Sequence, residues 1–98
     1  MARIQGLIDT PALTGSQLLK TGEGYVFSIT IAWTGATVGA KAYLRDGLDG
    51  TAPTKVPFVF ATANGTITKE WFNGKKFDVG IYYDEGATSD VFFELTYK

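Results

Sequence analysis

The sequence predicts an all-β protein: an antiparallel sandwich of about eight strands with a jelly-roll-like arrangement. Three observations predict it. Segments that alternate apolar and polar residues with period two recur at short spacing along the chain. Turn-forming clusters of Gly, Pro, Asn and Asp separate them. No segment carries a sustained helical period, and a turn of helix over 11–19 is weakened by Gly15 in its middle. The 98 residues suffice for one domain over 1–98.

Taken in order, Arg3 to Asp9 reads as a first strand with Ile4 and Ile8 inward, broken by Thr10-Pro11 because proline cannot donate to a ladder. Ser16 to Leu19 is a short extended piece, and Thr21-Gly22-Glu23-Gly24 is a turn. The strongest strand is Tyr25 to Trp33, where Tyr25, Phe27, Ile29, Ile31 and Trp33 share one face. Val38 to Arg45 follows with Ala40, Ala42 and Leu44 inward, their small size matching bulky residues across the core. Asp46 to Thr54 is the longest loop. Lys55 to Ala61 places Val56, Phe58 and Phe60 inward and Pro57 outward, the mark of an edge strand or a bulge.

Asn64-Gly65 predicts a tight hairpin, since a type I′ turn needs positive φ at both central residues. Thr66 to Phe72 is the returning strand, with Trp71 inward, and Asn73-Gly74 turns again. Lys76 to Asp84 then sets Phe77, Val79, Ile81 and Tyr83 on one face. Asp90 to Tyr97 does the same with Val91, Phe93, Leu95 and Tyr97.

Composition narrows the function classes. A formal net charge of −1 offers no cationic surface for phosphate backbones, which argues against a nucleic-acid partner. The absence of cysteine excludes disulfides and fits folding in a reducing cytoplasm. The first residues show no apolar core of a secretory signal, and no apolar run reaches the roughly 20 residues of a membrane helix, so no membrane partner is expected.

Reactive chemistry is poorly supplied. Histidine is absent, so a serine nucleophile has no imidazole base, and zinc lacks both favoured ligands. Asp46, Asp49, Asp84, Glu85 and Asp90 could offer oxygens to calcium or form a glycosidase pair, yet Asp46-x-x-Asp49 does not match an EF-hand loop. Solvated turn aspartates are the ordinary reading. Asn64-Gly65-Thr66 matches the glycosylation pattern, but turn chemistry explains it. No catalytic role, metal or cofactor is expected.

Aromatics are the more informative group. Fourteen per cent of the chain is aromatic, more than a core of this size needs. Phe72, Tyr82 and Phe92 fall on the outward face of three successive strands. A second sheet could cover them, another subunit could, or they could form a platform that stacks on sugar rings. A one-residue bulge would also invert the register of any of these strands. Subunit burial is the leading expectation, because such a patch is a liability on a monomer.

Leu44-Arg45-Asp46-Gly47, together with Phe72-Asn73-Gly74-Lys75-Lys76-Phe77-Asp78-Val79-Gly80-Ile81-Tyr82, resembles a group of small all-β virion proteins of tailed bacteriophages. That group carries Leu-Arg-Asp-Gly at a strand end and Phe-x-x-Gly-Leu-Tyr before a final strand. Ile81 stands where leucine is usual. The resemblance implies a capsid cement or decoration protein that clamps neighbouring capsomers. It would act as a homotrimer on the outer surface of the head, after assembly in the bacterial cytoplasm. The implied partners are its own copies and the major capsid protein. The N-terminal segment 1–10 and the loop bearing Asp46, Leu48 and Asp49 are the parts expected to reach a neighbour. The alternative is a glycan-binding or structural module of a tail or fibre.

Overall fold

In the computed structural model, which describes residues 7–86 and 91–98, the chain is an all-β sandwich of nine strands in two antiparallel sheets. The strands are β1 (Ile8–Asp9), β2 (Leu13–Thr14), β3 (Gln17–Thr21), β4 (Gly24–Trp33), β5 (Lys41–Asp46), β6 (Thr54–Val59), β7 (Gly65–Phe77), β8 (Gly80–Asp84) and β9 (Val91–Tyr97). One sheet has the order β1-β9-β4-β7, with β2 also on β9, and the other has β3-β8-β5-β6. The pairings nest: β5 with β6, β4 with β7, β3 with β8, and β1 and β2 with β9. The expected start of the first strand at Arg3 and Ile4, and Asp90, lie outside the described residues.

The core lies between the sheets. One sheet contributes Val26, Ile29, Ile31, Trp33, Phe77, Val91, Phe93 and Leu95, and the other Ala42, Leu44, Val56, Phe58, Ile81 and Tyr83. Tyr83 stacks on Phe93 at 3.8 Å and Trp33 on Phe60 at 4.5 Å, ring to ring across the layer. Ala42 and Leu44 are buried as expected, as are Val56, Phe58 and Phe60 with Pro57 facing out. Ile8, expected inward, is exposed where β1 pairs with the end of β9.

Four expectations fail for one reason: alternation along a strand says nothing about where the chain bulges or changes sheet. β4 carries a bulge between Val26 and Ser28. Val26 therefore enters the core, and Tyr25 and Phe27 turn to the outer face. Asn64-Gly65 does not close a hairpin, since β6 and β7 belong to different sheets. Instead the Asn64 side chain accepts a bond from the Gly35 amide, and Gly65 lies under Trp33, where a Cβ would come 2.8 Å from the ring.

Asn73-Gly74 does not end a strand either. β7 runs through it as a bulge of 71–74, between Glu70 opposite Ser28 and Lys75 opposite Val26. Gly74 takes φ +84° there, with the position of a Cβ 3.1 Å from Phe27 and from Tyr25, so the bulge folds over the rings that β4 turns outward. Finally, the expected strand 76–84 breaks at Asp78-Val79, where the chain crosses between sheets.

The sheet edges are short or interrupted. β1 and β2 have two residues each, β3 shifts register between Leu18 and Lys20, and β6 carries Pro57. β7 carries the bulge, and its Lys69 turns inward to donate to the Pro57 carbonyl at 3.0 Å with its ammonium 4.9 Å from the Phe58 ring.

Candidate functional site

The two motifs of the sequence meet in space. Asp46 ends β5, and its carboxylate accepts from the backbone N–H groups of Asp78 at 3.0 Å, Val79 at 2.8 Å and Gly80 at 3.4 Å. Successive amides at a turn form a nest that suits an anion. Partial burial pushes the Asp46 pKa up, but these three amides and the nearby Lys55 outweigh it and hold the carboxyl below its ordinary value. Gly47 donates to the Gly80 carbonyl at 3.2 Å, and a Cβ on Gly80 would come within 2.7 Å of the Gly47 carbonyl. Leu-Arg-Asp-Gly and Val-Gly-Ile-Tyr are thus two halves of one fastening at the end of the sandwich.

Arg45 completes it on the outer face of β5. Its Nε donates to Asp84 at 2.8 Å, and its Nη1 to the Ala52 carbonyl at 3.0 Å and the Thr54 hydroxyl at 2.9 Å. The guanidinium also lies 4.5 Å over the Tyr43 ring. These contacts fold the 46–54 loop against the sheet. Asp49 is engaged within that loop, accepting from the amide and hydroxyl of Thr51, whose side chain and then amide hold its pKa down. Leu48 and Asp49 of the expected reaching loop both stand exposed, and Val79 on the neighbouring turn is exposed as well.

The aromatic trio is not one patch. Tyr82 lies on the outer face of the other sheet, half-buried and paired between Leu18 and Arg45. Phe72 and Phe92 share the sheet of β4 but sit on either side of it. Phe92 pairs with Ala32, while Phe72 sits on the bulge opposite the other half of β4, roughly 15 Å away along the strand. Phe92 is 52% exposed and Phe72 96% exposed.

Around Phe72 the structure adds Phe27, which alternation had assigned to the core, and Trp71, which is partly buried and packs against the core as expected. Phe27 and Trp71, with Ser28 and Glu70, line an open depression of about 490 Å³ beside it. The signal for this site was present in Gly74, whose only sequence reading was a turn. The result is a fully bared ring on a strand whose other contacts hold it in place, beside a partly apolar recess. It can bind by burial. Among the described residues, no three acidic side chains gather in a way that could hold a metal ion.

No protein-family model matches the chain, and neither do any curated proteins or solved structures.

Proposed function

We propose that the chain is a structural virion protein, a capsid cement or decoration protein of the tailed-phage type. It fastens to its own copies as a homotrimer and to the major capsid protein across neighbouring capsomers, on the outer surface of the head. The single observation that carries an assembly role is Phe72, an aromatic ring left 96% exposed on a bulge within a long strand. A ring of this size contributes about 1.5–3 kcal/mol when it moves from water into an apolar recess. Held at one weak contact per copy, many copies on one particle act together. The nested strand pairing supports a jelly roll, and the motif resemblance supplies the particle.

Phe72→Ser tests the reading. Sedimentation velocity of the full chain should show an oligomer that the substitution weakens roughly tenfold or more, the equivalent of one buried ring. Occupancy on purified phage heads should fall in parallel, with the far-ultraviolet spectrum unchanged. A wild-type chain that stays monomeric and does not bind heads overturns the proposal, as does a variant that assembles and binds like the wild type.

A further inference from the structure

The outer face of the β4 sheet carries a second feature, separate from the Phe72 bulge. Two adjoining depressions run over β4, one of about 200 Å³ and one of about 150 Å³, sharing Thr30 and Glu94. The floor is made of the small outward residues of β4, Ser28, Thr30 and Ala32. The two halves differ in chemistry. The first is polar: Ser28 and Glu94 line it, with Thr96, whose hydroxyl donates to Asp9 at 2.8 Å, and Thr30, whose hydroxyl bonds that of Thr68 at 3.0 Å. The second is apolar, walled by Phe92, Ala12 and Ala32.

We propose that this trough is a binding site for a neutral saccharide. Three features select that class. β4 is an inner strand with its backbone engaged by β7 and β9 on either side, so an extended peptide has no free edge to pair with; only side chains face the ligand. A carboxylate offers acceptor oxygens, so the exposed Glu94 on the rim shared by both halves selects a ligand that brings donors and disfavours an anionic one. The apolar half demands that the same ligand carry a flat apolar face to lay on Phe92. A pyranose has both, hydroxyls at its rim and C–H bonds on its faces. Each depression is smaller than the roughly 300–1,000 Å³ clefts of drug-sized ligands, so each takes about one ring and binding is weak, in the millimolar range.

The test is a titration of the isotope-labelled full chain with cellotriose, maltotriose and the trimer of N-acetylglucosamine, followed by amide chemical shifts. At least one trimer should give saturable shifts confined to Ser28, Thr30, Ala32, Phe92, Glu94 and Thr96. Phe92→Ala should weaken that binding about tenfold, the loss of one stacking contact. Thr30→Val should weaken it too while keeping the shape of the floor. Phe72→Ser should leave it unchanged, which separates this site from the assembly contact. Absence of saturable shifts with all three trimers, or shifts centred elsewhere, overturns the proposal. So does equal binding of a galacturonic acid trimer. Shifts of the same residues with protein concentration alone would assign the trough to a second copy instead.

Discussion

Replacing Asp46 by Asn tests whether the two motifs hold the sandwich end together. The carboxylate accepts two short bonds, 2.8 and 3.0 Å, and one long one at 3.4 Å. A hydrogen bond to a charged acceptor contributes about 1.5–3 kcal/mol, and partial exposure at this turn puts each near the lower end. Asparagine keeps one acceptor oxygen and turns an NH₂ group toward amides that are themselves donors. The expected loss is therefore about 2–3 kcal/mol, or roughly 10–20 °C in Tm for a domain of this size. Urea unfolding followed by tryptophan fluorescence measures it, with Asp78→Asn on the exposed side of the same turn as the control, expected within about 0.5 kcal/mol. Since the folded-state pKa of Asp46 is lowered from 3.8, its contribution is complete above that value. It is lost as pH falls through the folded-state pKa. The gap between wild type and Asp46→Asn should thus be constant from neutral pH to about pH 4 and close below it. A variant as stable as wild type at neutral pH, or a gap that persists in strong acid, refutes the reasoning.

Two further substitutions probe the interior. Tyr83→Phe should be neutral or stabilise by up to about 1 kcal/mol: the Tyr83 hydroxyl is buried and meets no hydrogen-bond partner among the described residues, and such a group costs energy when desolvated. Burial, with Glu85 and Asp84 nearby, pushes its pKa far up, so the phenol should show no ionisation until the protein unfolds in alkali. A clear loss of stability in Tyr83→Phe would show that the hydroxyl is bonded. Gly65→Ala should cost about 1–3 kcal/mol, because the new methyl would sit 2.8 Å from the Trp33 ring, which the bond from its Nε1 to the Thr62 carbonyl restrains. Thermal melts and a shift in tryptophan emission check it; an unchanged melt would mean that the ring moves freely.

The all-β class was legible in the sequence, because period-two alternation and turn residues report directly on strands that have one buried face. The alternation at Val56, Phe58 and Phe60 and the outward Pro57 read correctly for that reason. What alternation cannot register is an inserted residue. Phe27 looks like its neighbours Ile29 and Ile31, yet one extra residue in β4 turns it outward and draws the 71–74 bulge over it. It is equally blind to a change of sheet. Phe77 and Ile81 both point into the core, so the stretch reads as one strand although the chain crosses between layers at Asp78-Val79. That crossing separated Tyr82 from Phe72 and Phe92. Asp46 and Gly80 were visible as a motif, but their contact spans 34 positions and no local pattern encodes it. Phe72 as a bared ring was expected; the recess beside it was not, since it depends on both bulges.

The inward turn of Lys69 and the proline beside it have a consequence for how such molecules accumulate. Among the described residues the rims are brief at β1 and β2, shifted in register at β3, interrupted by proline at β6 and bulged at β7, features that discourage pairing with a strand from a neighbour. Copies concentrated at high local density are thereby steered away from ribbon-like stacking, the route by which flat β proteins become insoluble deposits. On the proposed assembly, contact between copies would be carried by protruding side chains such as Phe72, and a contact of that kind saturates once its recess is filled.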